Sequence, residues 1–498
     1  MKTRIINILF LFLVSLVQYT NAQTKNIEII SSKRTKFLEK PVKHYKLIDL
    51  VHLRHDSTDL FCDSAIFFTT ENRFEAYGNV LLQRGDSIEL TCDSLIYFGN
   101  KSIANAYSNV FLRKDTVNLY SNNLEYHIDD RKALYNNYGK VINVKDTIDS
   151  FNAIYEFKDN NITLTKDVYS RNEDLKCYSE YLNYNTDTKN IFLHTDVKLE
   201  TDSSTVFLDN AHYNNLSKKI IGQGHIKALY QDYIVFSDSI QMHTIDSILW
   251  AWDNVHVIDT INHTELKSEY TELYKQNKQG YFVDSVFLRQ IEELDTMYMY
   301  ADTIYIDKIN NQTSIDGYRD VKIWRKDIQS IADSIHYNQY NEQITLSQNP
   351  IAWMDEQQIV ADTIMLKLQH KELDSIFFIG HAFMISEENI NLDLYSQVKG
   401  RRINVNVDNQ EIKSALVNGN AEILYCMFDD EIFSGVNSMN GAKLNIYFKN
   451  REISKILYLS IIDGSYIPSQ SVNKKNRFLS NFKLHKNKKI YKTDFQVF

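Results

Sequence analysis

The chain is poor in the residues that interrupt regular structure: 498 residues hold only 14 glycines and 3 prolines. No glycine-rich phosphate loop, nucleophile elbow or His-Glu-x-x-His motif occurs, which removes the familiar motif-bearing enzyme classes. Four cysteines (Cys62, Cys92, Cys177 and Cys426) are too few for a disulfide scaffold, and their spacings match no zinc motif. Positive charge is also short. The formal net charge is −9, and nucleic-acid binding draws its affinity largely from Lys and Arg on phosphates, so no nucleic-acid partner is expected. Long apolar runs are missing after the first residues, so no later segment is expected to span a bilayer as a helix.

What remains favours strands. Hydrophobic residues make up 43%, with 32 Tyr and 26 Phe, and branched and aromatic side chains suit a pleated surface. No window shows a sustained helical period, so the chain reads as all-β. The start differs: Lys2 and Arg4, the apolar run from Ile5 to Val17 and the exit Thr20-Asn21-Ala22 read as a signal peptide cleaved near Ala22. An exported protein, outside the cytoplasm, is the expectation.

One unit repeats along the chain. A motif Asp-Ser-apolar-x-aromatic opens at Asp63 and Asp93, and its first slot returns at Asn122, Phe151, Glu180, Asp209, Asp238, Glu269, Asp302, Asp333 and Asp362. The steps run from 29 to 33 residues. A second landmark keeps pace: an alternating strand carrying a small or polar pair before an apolar residue, as in Gly78-Asn79-Val80 and Ser108-Asn109-Val110. The Val80 slot continues at Val141, Val168, Val197, Ile226, Val255, Val286, Val321, Ile351, Phe383 and Ala421. Two landmarks in step define a repeat of about 30 residues holding two bent strands, one near 103–113 and one near 116–127. Turn chemistry fills the links, as at Arg84-Gly85-Asp86. Stacked neighbours turn each apolar strand face into a continuous seam.

The expected organisation is a signal peptide at 1–22, a flexible lead-in at 23–46, the repeat array at 47–395, a terminal unit or cap at 396–468, and a disordered basic tail at 469–498. Alternation places Phe74, Ala76, Val80 and Leu82 on one face, and Ala104, Ala106, Val110 and Leu112 on the same face of the next copy. The opposite phase stays open.

Phe61-Cys62-Asp63-Ser64-Ala65-Ile66-Phe67, followed by Phe74 to Val80, resembles the start of the OstA-like proteins of lipopolysaccharide transport in Bacteroidetes-type bacteria. Gln397-Val398-Lys399-Gly400-Arg401, Val417-Asn418-Gly419-Asn420-Ala421 and Asp463-Gly464-Ser465-Tyr466-Ile467-Pro468 extend the resemblance toward the C-terminus. It implies an elongated periplasmic β-jelly-roll, open along one side, whose interior shelters lipid A acyl chains. A stack of strands also leaves unpaired N–H and C=O groups at its two ends, so edge pairing with other jelly-roll proteins of a transport bridge is expected. The chain is far longer than short bridge proteins, and nothing after residue 468 resembles a barrel-forming domain.

The residues themselves leave rival readings. The apolar face Phe74, Ala76, Val80, Leu82, Ala104, Ala106, Val110 and Leu112 lines a lipid groove under the first. Under the second, a structural or adhesin β-solenoid, it fills a packed core. A polysaccharide-acting enzyme would need clustered carboxylates, but the Asp slot also holds Asn122, Phe151 and Glu180, so it reads as a polar strand bend and no enzyme is expected. His52 and His55 fall three apart, on opposite strand faces, which suits no metal. No cofactor is expected. Cys62 and Cys92, one repeat apart, either bond as a disulfide or are two small buried residues. The N-terminal edge near Leu47–Leu60 carries no proline after Pro41 and no run of like charge, so it is the favoured docking edge.

Overall fold

The computed structural model describes residues 26–495 apart from 231, 244, 246–247, 275–277, 292–295, 310–311, 355–356, 370–371, 390–391, 409–410, 431, 450–451 and 461. The proposed signal peptide lies outside them. The chain forms two compact units, Met1–Thr195 and Asp196–Phe498. The division falls within the expected repeat array.

The first unit is an up-and-down meander. The strand His44–His55 pairs with Thr58–Phe68, and Arg73–Arg84, Ile88–Phe98, Ile103–Lys114 and Val117–His127 follow, each antiparallel to the one before. The expected strands at 103–113 and 116–127 are therefore present to within a residue or two. The next strand is broken in two, Lys132–Tyr135 and Gly139–Asn143, both on Val117–His127. Asn161–Arg171 and Lys176–Asn185 follow as a further antiparallel pair. The second unit repeats the pattern, from Ser204–Asn214 paired with Lys219–Tyr230 to Gln312–Trp324 paired with Gln329–Asn338. It ends in the longer strands Glu372–Asn389, Leu394–Asp408, Glu411–Asp429 and Ile432–Lys449.

The small or polar pair of the second landmark is a corner. Gly78 and Asn79 both have positive φ (75° and 44°), as do Ser108 and Asn109, Lys166 and Asp167, Gly224 and His225, Asp253 and Asn254, and Gly380 and His381. Two successive left-handed residues interrupt the ladder: register shifts between Tyr77 and Val80, where two residues oppose one across the pair with Ile88–Phe98. Such φ values favour Gly, Asn and Asp, which explains the small and polar composition. Each strand therefore bends at its middle and supplies two half-sheets. The phase of burial survives the bend: Phe74, Ala76, Val80 and Leu82 are all buried, as are Ala104, Ala106, Val110 and Leu112. Two sequence assignments slip. The corner Gly380-His381 puts Ala382, not Phe383, in the inward slot, and Gln348-Asn349 puts Pro350 there in place of Ile351.

The repeated Asp belongs to the same corner. Asn79 Nδ2 donates to Asp63 Oδ2 at 2.9 Å, and the pattern recurs as Asn109 to Asp93 (2.7 Å) and Asn254 to Asp238 (2.6 Å). His225 and His381 take the Asn place against Asp209 and Asp362. The carboxylates hold bends.

Two expectations fail, and one open alternative is decided. Residues 23–46 were expected as a flexible lead-in, yet Glu28–Ser31 and Arg34–Leu38 both pair with His44–His55. That strand therefore has neighbours on both sides and is not an edge. Alternation over such short segments is too brief to register in sequence. Cys62 and Cys92 are free and buried, each donating to the carbonyl two residues on, Ser64 or Ser94. One repeat is two strands, so the strand Arg73–Arg84 separates them. Two strand spacings of about 4.8 Å each exceed disulfide reach. Lastly, the described part of the tail, 469–495, is not a free end but is seated on the second unit.

Two buried glutamines hold that tail. Gln397 Nε2 donates to the Arg477 carbonyl (2.9 Å) while its Oε1 accepts from Leu479 N (2.8 Å). Gln358 treats Lys483 O (2.8 Å) and His485 N (2.6 Å) in the same way. Around these clamps, Phe478, Leu479, Phe482 and Leu484 pack on Phe383, Ile385 and Tyr395, and Ile490 and Phe495 pack with Phe287.

Candidate functional site

Bending each strand brings its two ends toward a common mouth. One rim is built from the last residues of the landmark strands, such as His55, Arg84, Lys114 and Asn143 in the first unit. The opposite rim carries the fifth position of the Asp-Ser motif, where Tyr97, Tyr126, Tyr155 and Tyr184 stand at 29-residue steps. All four are among the largest fully buried side chains.

In the first unit these rims are bolted together. His55 Nδ1 shares a 2.6 Å hydrogen bond with the Tyr97 hydroxyl, and Tyr97 stacks on Phe74. The Arg84 guanidinium donates to the Ile128 carbonyl. Lys114 donates to Asn160 Oδ1 at 2.9 Å, with its ammonium near the rings of Tyr155 and Phe157. Tyr184 donates to Asp146 Oδ2 (2.9 Å) and accepts from Asn143 Nδ2 (2.8 Å). Burial pushes the Tyr97 and Tyr184 phenols well above their ordinary range, so they remain neutral. The expected lining Phe74, Ala76, Val80, Leu82, Ala104, Ala106, Val110 and Leu112 lies inside this bolted stretch. None of the eight is more than 3% exposed.

His55 is thus part of a bolt, while His52 stacks on Phe61 and bonds Asp59 Oδ1 at 2.7 Å. Among the described residues no group of three or more His, Cys, Asp or Glu is placed to hold a metal ion. Burial pushes the Cys62 and Cys92 thiols up to about 12, which leaves them inert.

The second unit differs where the motif's fifth position changes. Leu273 and Ile306 take the tyrosine slot, and neither has a hydroxyl to cross the mouth. A cavity of about 710 Å³ opens there. Its walls include Val257, Leu266, Leu273, Phe282, Ile306 and Ile315, and Tyr230, Tyr233, Asp259, Lys278 and Lys308 stand around it. A bolt crosses it, from Lys308 to Asp259 at 2.9 Å. The volume is that of an ordinary ligand pocket, and its lining sets these apolar walls beside polar residues such as Asn262, Thr264, Gln279, Gln290 and Gln339. Alternation is clearest in the most regular copies, which lie in the first unit. The loss of tyrosine at Leu273 and Ile306 was the available signal.

No helix among the described residues is long and apolar enough to cross a membrane. Residues 25–179 match the family model of the OstA-like proteins, in agreement with the resemblance read from the sequence. Among solved structures, the chain is similar to LptH, the LptA-homologous periplasmic component of the conserved lipopolysaccharide transport device of Pseudomonas aeruginosa. Identity is 14%, the match covers 28% of this chain and 95% of that one, and the TM-score is 0.22. No curated protein matches the chain.

Proposed function

We propose that this chain is a periplasmic protein of the lipopolysaccharide-transport type that holds lipid acyl chains in the cavity of its second unit. The observation that carries the reading is the cavity walled by Leu273 and Ile306, which stand in the slot that holds Tyr97, Tyr126, Tyr155 and Tyr184 in the first unit. The OstA-like match over residues 25–179 supports the transport class. Holding a chain needs only burial, since each methylene removed from water contributes about 0.8 kcal/mol. No catalytic residue is invoked.

The partners in this reading are lipopolysaccharide and other jelly-roll proteins joined by edge pairing. The docking edge moves outward from the strand His44–His55 to Glu28–Ser31 and Arg34–Leu38, where Ile29, Ile30 and Phe37 are exposed. Exposed strand edges accept added strands.

Photo-crosslinking in living cells tests the reading. A crosslinker at Phe282 should capture lipopolysaccharide on a blot, and one at Val110 should not. No adduct from Phe282, Leu273 or Ile306 overturns it. The closed interior of the first unit favours a second reading for that half, a structural spacer. An adduct from Val110 would remove that reading and restore the face first expected to line the groove.

A further inference from the structure

The surviving bolt over the cavity differs in kind from those of the first unit, because it is an ion pair. Lys308 Nζ reaches Asp259 Oδ2 with the two side chains only 15% and 7% exposed. Lys308 comes from the strand Thr296–Ile309 and Asp259 ends the strand Ile248–Asp259, so the pair spans the mouth from rim to rim. The ammonium also lies 5.0 Å from the centroid of the Tyr233 ring.

The two ends are held unequally. Asp259 Oδ1 accepts from the backbone N–H groups of Ile261 (3.0 Å) and Asn262 (2.9 Å), and its Oδ2 accepts from Asn262 Nδ2 (2.8 Å). Its own turn therefore keeps the carboxylate in place whether or not Lys308 is there. Lys308 arrives on a flexible four-carbon stem carrying a compact charge. Among the described residues its one carboxylate partner is Asp259. The lysine is the part able to swing, and the aspartate is the fixed strike plate.

Parting a covered ion pair leaves a charge without compensation unless something replaces the lost partner. A neutral amphiphile brings apolar surface to the walls but offers Lys308 no anion to replace Asp259. An amphiphile with a phosphate or carboxylate head brings a replacement anion at the mouth and apolar chain for Leu273, Phe282 and Ile315 below it. We propose that Lys308–Asp259 is a charge-selective latch, so that the cavity takes anionic amphiphiles in preference to neutral ones of the same chain. This inference rests on the cavity being a lipid site. Lys308 is then the residue that chooses the head group, while the walls choose the chain.

The test uses the mature full-length chain and three probes of equal acyl length below their micelle concentrations. These are a lysophosphatidic acid, a fatty acid and a monoacylglycerol. Calorimetric titration should show the phosphate or the carboxylate probe binding at least about tenfold tighter than the neutral one. The tighter of the two identifies the head group. Lys308→Met should erase the ratio while leaving monoacylglycerol affinity unchanged or higher. Lys308→Arg should keep the ratio, and Asp259→Asn should widen it by removing the competing carboxylate. Should Lys308→Met fold poorly, the double variant with Asp259→Asn removes both members of the pair and should also show no ratio. Equal binding of all three probes by the wild type overturns the latch alone, as does a ratio that survives Lys308→Met. If no probe binds, the lipid reading falls and takes the latch with it.

Discussion

Asn79 and Asp63 lie sixteen residues apart and clasp each other across neighbouring strands, Nδ2 to Oδ2 at 2.9 Å. The clasp joins the two sequence landmarks, since the Asp opens one and the Asn sits at the corner of the other. It also leaves no room beside it: a Cβ on Gly78 would stand 2.5 Å from Asp63 Oδ2.

Gly78→Ala and Gly85→Ala separate crowding from backbone strain. Both glycines have positive φ, 75° and 60°, so both variants meet the left-handed penalty of about 1–2 kcal/mol. Gly85 has nothing within 4 Å of its added Cβ. Gly78→Ala must also displace Asp63, and should cost about 1–3 kcal/mol more in urea unfolding. Equal losses would mean that the clasp does not hold the corner.

Tyr184→Phe tests a bolt. It removes the hydroxyl bonded to Asp146 and Asn143, both buried. The expected loss is about 1–3 kcal/mol, because partner groups lose a hydrogen bond in a covered place. The exposed Tyr120 gives a surface control, and Tyr120→Phe should change little. A Tyr184→Phe variant as stable as wild type in denaturant melts would show that the rim is closed by packing alone.

The repeat, the two strands per repeat and the inward parity were legible because each depends on neighbours within a few residues. Ala104, Ala106, Val110 and Leu112 declare themselves by alternation. The tail did not, since Lys483, Lys486, Lys488 and Lys489 mask the apolar spacing of Phe478, Phe482, Leu484 and Ile490. Its clamps come from Gln358 and Gln397, about 80 to 127 residues away in sequence, and local pattern carries no trace of them. The cavity was hidden for a related reason. Whether a mouth closes depends on a pair of residues some 41 to 49 positions apart, while the change from Tyr to Leu273 or Ile306 keeps the strand pattern intact.

The same mouth gives a pH dependence. Burial works to raise the Asp259 carboxyl, but the Asn262 backbone and side-chain bonds and the Lys308 ammonium more than offset it, holding it below the ordinary carboxylate range. A carboxyl depressed in the folded state stabilises above the unfolded pKa of about 3.9 and loses that contribution as pH falls through its folded value. The stability gap between wild type and Asp259→Asn should therefore stay flat above about pH 5 and shrink on further acidification. Denaturant melts of the two proteins at several pH values measure the gap. A gap that grows toward acid pH would reverse the assignment.

Removing the tail should expose a surface that the rest of the second unit cannot cover. The segment Leu394–Gln397 is buried at four successive positions, and Ile351–Met354 likewise, although a strand with one solvated face alternates. In Leu394–Gln397 the unbroken burial has a cause on each side. Leu394 belongs to an inner cluster with Leu424, Cys426 and Val436, while Tyr395 packs with Phe383 and Ile385 beneath Phe478, Phe482 and Leu484 of the tail. Truncation after Pro468 takes away the second cover and the peptide groups bonded to Gln358 and Gln397. The expected result is a folded protein with lower stability, stronger binding of a hydrophobic dye and a tendency to self-associate, since large apolar patches are sticky. Phe478→Asp in the intact chain should reproduce much of the dye signal, because it drives a charge into the same contact. Replacing Lys474 and Lys475, which are exposed outside the clamps, with Gln should not. Dye binding unchanged by both the truncation and Phe478→Asp would mean that this strip is covered by something other than the tail.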